Sequence, residues 1–193
     1  MDGSGNDVSA LLERIRAGDR RARERLLEVT YEDLRRLAQR QMRGERRAHT
    51  LSPTALVHEA CLRMLPGEAL PCETRDQFLL FAAQAMRRIL VDHARSRGAE
   101  KRGGGRQRVR LESDLLAEEP LDGTDLIALD EALNALSRAD ERKCRVVELR
   151  YFAGLTGEEA ARTLGVSAAT VDRDWEVARL WLYHELRRGE ARV

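Results

Sequence analysis

Apolar residues recur along this chain at steps of three and four. Strand-like alternation is sustained nowhere, so the pattern predicts an all-α protein. A short helix is expected from about Val8 to Arg16, ending at Gly18. Asp19 is placed to cap a long second helix, in which Leu26, Leu27, Tyr31, Leu34, Leu37, Ala38 and Met42 keep helical spacing. That helix closes on a basic run, Arg35, Arg36, Arg40, Arg43, Arg46 and Arg47, with Gly44 inside it. Ser52-Pro53 pairs a capping side chain with proline at the first helical position, a start signal for a helix that Pro66-Gly67 stops. After a loop over 66–73, Thr74 and Gln77 form a capping box. A long helix to about Arg97 follows, with Phe78, Phe81, Ala82, Ala85, Met86, Ile89 and His93 facing inward. Asp125 is placed to cap a helix ending near Leu136. Ser137 is read as opening another, through Val146, Val147, Leu149 and Phe152 to Gly154.

The most explicit local signals lie in LTGEEAARTLGVSAATVDRDWEVARLWL, residues 155–182. Thr156 and Glu159 form a capping box, and Ala160, Ala161 and Leu164 give the helix an apolar face. Gly165 then sits where a left-handed C-cap is expected. Val166 supplies an apolar plug, and Ser167 caps a second helix whose buried stripe is Val171, Trp175, Ala178 and Leu182. Ala168, Ala169, Thr170, Asp172, Arg173 and Glu176 are left facing outward near its start. This is the layout of a helix-turn-helix, whose second helix presents its N-terminal residues to base edges in the major groove. The turn is short, and small polar residues at the helix start leave room for a close approach to a groove. A helical hairpin without a DNA role has some of the same features, but neither of these last two is required of it.

Charge sharpens the division of the chain. Of 193 residues 42% are hydrophobic, only 4% are aromatic and 35% are charged, a balance that favours small helical bundles over one large globule. The net charge is only +1, which excludes a generic polyanion binder, but its distribution is uneven. Arg95, Arg97, Lys101, Arg102, Arg106, Arg108 and Arg110 are followed by Glu112, Asp114, Glu118, Glu119, Asp122 and Asp125. With Gly103-Gly104-Gly105 and Pro120, this reversal marks a linker. The expected organisation is a helical domain over 7–97, a flexible linker over 98–124 and a second helical domain over 125–190.

Little in the chain suggests catalysis. His58-Glu59 opens like a zinc-protease motif, but Leu62 stands where the second histidine belongs. The three glycines at 103–105 satisfy neither phosphate-binding pattern. His49, His58, His93 and His184 are dispersed, and Cys61, Cys72 and Cys144 form no CxxC pair. The reading is therefore no catalytic site, no metal site, no cofactor and no enzyme. Cys61 and Cys144 fall among apolar residues and read as core thiols. The start MDGSGNDVSA has neither the basic segment nor the apolar run of a signal peptide, and no stretch reaches the length of a membrane span. A cytoplasmic protein without membrane insertion is expected.

Leu149–Thr156, then Glu158-Glu159-Ala160-Ala161, Leu164–Ser167 and Thr170-Val171, closely resemble region 4 of sigma-70 family RNA polymerase sigma factors. The resemblance is to the extracytoplasmic-function (ECF) group, which keeps only regions 2 and 4, and it covers about residues 8–190. Residues 54–65 are similar to region 2.2, which implies that Leu56, Val57, His58, Glu59, Leu62 and Arg63 bind the clamp of the polymerase β′ subunit. Residues 86–95 resemble regions 2.3 and 2.4, which implies −10 DNA contacts from Arg87, Arg88, Asp92 and Arg95. Region 4 implies −35 contacts from Ser167, Ala168, Ala169, Thr170, Asp172, Arg173 and Glu176. The implied partners are core RNA polymerase, through its β′ clamp and β flap, promoter DNA, and an anti-sigma factor. The sequence departs from the family pattern at Ser52-Pro53-Thr54, where many members carry acids, at Arg88, often Asn, and at Asp172, commonly Lys.

Two other readings use the same residues. A stand-alone helix-turn-helix regulator binds a two-fold symmetric site tightly without polymerase. An adaptor binds polymerase or an anti-sigma partner without touching DNA. A sigma factor binds DNA weakly alone and reads an asymmetric −35/−10 pair.

Overall fold

The computed structural model describes residues 3–42, 51–65, 70–100, 108–109 and 124–190. The described residues are all-α apart from one short ladder. Its helices are α1 (Gly3–Arg16), α2 (Arg20–Gln41), α3 (Pro53–Met64), α4 (Arg75–Glu100), α5 (Leu126–Ala139), α6 (Glu141–Val147), α7 (Gly157–Leu164) and α8 (Ala168–Glu190). A π-helical segment, Glu148–Phe152, continues α6.

Local chemistry sets most helix starts. The Asp19 carboxylate accepts from the backbone N–H of Arg21 and Ala22 at the start of α2. Ser52 Oγ accepts from Ala55 N at 3.1 Å, with Pro53 opening α3. At α4, Gln77 N donates to Thr74 Oγ1, but the Gln77 side chain reaches back to Glu73 N rather than to Thr74 N. Each such cap satisfies backbone donors that the helix itself leaves open.

Three boundaries differ from the sequence reading. α1 begins at Gly3 rather than near Val8. α5 runs through Ser137 to Ala139, and it is Asp140, accepting from Lys143 N, that caps α6. Asp140 has the β-region backbone a cap requires, whereas Ser137 lies inside α5, on its exposed side, two residues before the end of the helix. α4 extends to Glu100, and β1 (Arg108–Val109) pairs antiparallel with β2 (Thr124–Asp125), so both ends of the expected linker carry regular structure. The remainder of that linker, Arg43, Arg46 and Arg47, and the Pro66-Gly67 stop lie outside the described residues.

Two apolar cores form. The first gathers α1–α4 around Leu12, Ile15, Leu26, Leu34, Leu56, Phe78, Met86 and Leu90, and Leu126 joins it from α5. The second gathers α5–α8 around Leu129, Leu133, Val146, Leu149, Val171, Ala178 and Leu182, and Leu80 and Ala83 of α4 belong to it. Burying each large side chain of this kind contributes about 1.5–3 kcal/mol. α4 is thus buried on two faces. Phe78, Ala82, Met86 and Ile89 enter the first core, while Leu80 and Ala83 enter the second. Phe81 and Ala85, also expected inward, are only partly buried against the first core.

Candidate nucleic-acid interface

The helix-turn-helix is built as its caps dictate. Thr156 accepts from Glu159 N while the Glu159 carboxylate accepts from Thr156 N, a closed capping box. Those hydrogen bonds to the ionised form, the Thr156 backbone bond first, hold the Glu159 carboxyl below its ordinary value. Gly165 ends α7 in the left-handed region at φ 67°, which is the backbone conformation glycine tolerates without strain. Ser167 Oγ accepts from Thr170 N and pairs with Thr170 Oγ1, fixing the start of α8. Val171, Trp175, Ala178 and Leu182 are buried beneath it.

On the outer side of α8, Ser167, Ala168, Ala169, Asp172, Arg173 and Glu176 are exposed and Thr170 is half-buried. Their charges are disposed unequally. Arg150, from the π-helical segment, donates to Asp172 at 3.2 Å and stacks on the Trp175 ring at 4.7 Å. Glu176 pairs with Arg179 at 3.5 Å. Asp174 is 4% exposed and held by Arg142. Arg173 makes no ion pair with any described residue. The start of α8 therefore offers one uncommitted guanidinium, flanked by small side chains, on a surface open to solvent.

On α3 the six residues proposed from sequence divide. Leu56 and Val57 are 0% and 1% exposed and pack in the first core, so they cannot form a docking surface. Their spacing relative to Ala60 and Met64 puts them on the inner stripe of the helix. His58, Leu62 and Arg63 are exposed and Glu59 is half-exposed; Leu62, at 74%, is a large apolar side chain left in solvent. Arg63 donates to Glu59 at 2.8 Å and across to Asp92 of α4 at 3.0 Å. This bridge joins the α3 edge to the α4 face.

On α4, Arg88, Asp92 and Arg95 are exposed and share one face at steps of four and three. Arg87 does not join them. It is 8% exposed, with Nε 3.5 Å from Asp130 of α5, Nη2 3.4 Å from Glu148, and its guanidinium 5.5 Å from the centre of the Phe152 ring. In this arrangement it faces the second core, not solvent, because the stripe Leu80, Ala83, Gln84, Arg87 is covered by α5 and the π-helical segment. Gln84 donates to Glu148 at 2.6 Å in the same contact.

The acids Asp130 and Glu148, and the positioning arginines Arg142 and Arg150, are absent from the sequence reading. A signal for the acids exists: each sits within an apolar stripe, beside Leu129 and between Val147 and Leu149. A buried carboxylate implies a basic partner. The sequence does not say which of its 34 basic residues that partner is.

No group of His, Cys, Asp or Glu able to hold a metal occurs among the described residues. Cys72 and Cys144 are buried, and burial pushes both thiols up to about 11, so they are un-ionised and inert at neutral pH. Cys61, read as a core thiol, is only half-buried. No helix among the described residues is long and apolar enough to cross a membrane.

No curated protein and no solved structure matches the chain. The family model described as ECF sigma factor matches residues 5–188, which spans both helical cores, α3, α4 and the helix-turn-helix. Capped helix-turn-helix, exposed α3 edge and α4 face thus fall within one continuous match, and the chain belongs to the ECF sigma factor family.

Proposed function

We propose that this sigma factor brings core RNA polymerase to promoters with separate −35 and −10 elements and helps to melt the −10 region. The observation that carries the reading is the start of α8. A capped, well-buried helix presents Ala168, Ala169, Thr170 and the uncommitted Arg173 to solvent, which suits major-groove readout. Arg173 is assigned to the −35 element, with Ser167 and Thr170 near the backbone and Asp172 held by Arg150. Arg88, Asp92 and Arg95 are assigned to the −10 strand, where a basic face suits single-stranded DNA. The α3 edge, with His58, Glu59, Leu62 and Arg63, is assigned to the polymerase β′ clamp, since an exposed leucine ringed by charge suits a protein partner. The C-terminal half is assigned to the β flap. Domain limits at 7–97 and 125–190 belong to the same proposal.

The test is run-off transcription with purified core polymerase on a promoter library. The proposal expects polymerase-dependent initiation from asymmetric −35/−10 pairs and weak DNA binding by the protein alone. Tight binding of the isolated chain to a two-fold symmetric duplex, with no polymerase-dependent initiation, supports the stand-alone regulator instead.

A further inference from the structure

The start of α8 carries an acid where a duplex brings phosphates. The Asp172 side chain is 66% exposed, on the helix assigned to the −35 element. A carboxylate left free there would oppose binding by like-charge repulsion. This one is neither free nor uncompensated. Its Oδ1 accepts from Arg150 Nη1 at 3.2 Å. The same oxygen lies 3.5 Å from where a Cβ on Gly157 would stand, at the first residue of α7. The carboxylate therefore rests near the positive end of that helix.

Arg150 is itself fixed. Its guanidinium stacks on the Trp175 ring at 4.7 Å, and Trp175 is only 7% exposed. Arg150 comes from the π-helical segment, whose backbone is anchored by the buried Leu149 and Phe152. Contacts thus run from the second core through Trp175 and Arg150 to Oδ1 of Asp172. Among the described residues, Oδ2 has no hydrogen-bond or ion-pair partner. A helical side chain leans toward the residues three and four before it, here Ala169 and Ala168, which carry only methyls. A held carboxylate with one open oxygen and small neighbours is suited to a base edge.

Base chemistry decides which edge. In the major groove guanine presents two acceptors, and thymine an acceptor and a methyl, all unfavourable to a carboxylate oxygen. Adenine sets an acceptor, N7, beside its amino donor, while cytosine presents its amino group alone. An acceptor-only side chain therefore favours cytosine. We propose that Asp172 is a cytosine-reading residue of the −35 contact. Arg150 is the positioning residue that holds it in place and offsets its charge against the phosphates. This rests on the −35 assignment of α8. Arg173, about 100° further round the helix, is left to a separate base pair.

The test is base selection from duplexes randomised across the −35 element, in two arms. One is transcription by core polymerase with the full chain; the other is binding by the full chain alone at low salt. Wild type is expected to favour cytosine at one position by about fivefold or more. Asparagine pairs with adenine through N6 and N7, so Asp172→Asn is expected to switch that position from cytosine to adenine, not merely to relax it. Arg150→Ala is expected to cut the same cytosine preference to below about twofold, and Arg150→Lys to recover part of it, with the other positions kept. A merely structural role would weaken all positions together. Asp172 is exposed, so Asp172→Asn decides the readout even if Arg150→Ala lowers the thermal midpoint. A selected element without cytosine, or a profile unchanged by Asp172→Asn, overturns the proposal. A cytosine preference undiminished in Arg150→Ala overturns the positioning role. The switch in binding by the chain alone, without initiation by polymerase, upholds Asp172 as a reader and defeats the promoter assignment instead. Enrichment of no sequence in either arm overturns both.

Discussion

Arg142 holds the carboxylate of Asp174 through two hydrogen bonds, Nε to Oδ2 at 2.6 Å and Nη2 to Oδ1 at 3.2 Å. The pair joins α6 to α8 across 32 residues and fixes the rotation of the helix assigned to DNA. It also withdraws Asp174 from its neighbour Arg173. Asp174→Ala is expected to lower the thermal midpoint and to weaken −35 duplex binding, because α8 loses its anchor. Arg142→Ala leaves a buried acid with only Lys143 nearby, at 3.9 Å, and is expected to lower the midpoint as well. Differential scanning calorimetry on both variants checks this; unchanged midpoints would show the pair to be energetically idle.

Arg173→Ala tests readout without touching the anchor. A bidentate arginine–guanine contact is worth about 1–3 kcal/mol of discrimination. Transcription from the cognate promoter is expected to fall by about one to two orders of magnitude, with selection relaxed at one −35 position and the thermal midpoint preserved. The measurement is wild type against variant on a library randomised at −35. Identical base preferences would remove Arg173 from the readout.

On α3, burial separates a stability variant from a docking variant. Leu56 is fully buried, so Leu56→Ala is expected to cost about 2–5 kcal/mol of stability. Leu62 is 74% exposed, so Leu62→Glu is expected to leave folding intact and to reduce co-purification with core polymerase. Arg63→Glu is expected to reduce it too, and to break the bridge to Asp92. Undiminished co-purification of both Leu62→Glu and Arg63→Glu would move the docking site elsewhere.

The capping box carries a pH signature. The Thr156 backbone hydrogen bond lowers the Glu159 carboxyl from its ordinary 4.5. A carboxyl depressed by folding adds stability above its unfolded pKa, and that stability is lost as pH falls through the folded value. The loss is therefore expected below about pH 4.5. Glu159→Gln keeps an acceptor for Thr156 N but cannot titrate, so its unfolding midpoint is expected to fall less steeply over that window. Parallel denaturation curves for the two proteins down to pH 3 would assign the acid sensitivity to other groups, such as Asp19 and Asp140, whose carboxyls are lowered by Arg14 and Lys143.

Gly154 joins the π-helical segment to α7 at φ 75°, and a Cβ there would overlap the guanidinium of Arg40 from α2. Gly154→Ala is expected to lose about 1 kcal/mol or more from backbone strain. A chain of this size then shows a midpoint roughly 2–4 °C lower per kcal/mol. The arginine must also move, so the fall is expected to shrink in an Arg40→Ala background, as a double-mutant cycle would read. Equal falls in both backgrounds would mean that Arg40 yields without cost.

Local features of this chain are legible from residue order alone. Asp19, Ser52, Thr156 with Glu159, Gly165 and Ser167 act on backbone groups within four residues, so their caps are readable from spacing alone. The same holds for the buried stripe of α8, because helical periodicity puts Val171, Trp175, Ala178 and Leu182 on one face. Serine and aspartate both suit a cap, so residue type alone does not choose between Ser137 and Asp140, and only the backbone path distinguishes them. Features that depend on distant partners emerge only when the helices pack. Leu56 and Leu62 are equally apolar, and only the packing of α2 and α4 on α3 buries one and leaves the other exposed. Arg87 and Arg88 are adjacent and chemically identical, yet Asp130 and Glu148 draw the first against α5 and the π-helical segment and the second stays in solvent. Helical spacing fixes the angle between neighbouring side chains; which angle points at another helix is set by long-range packing.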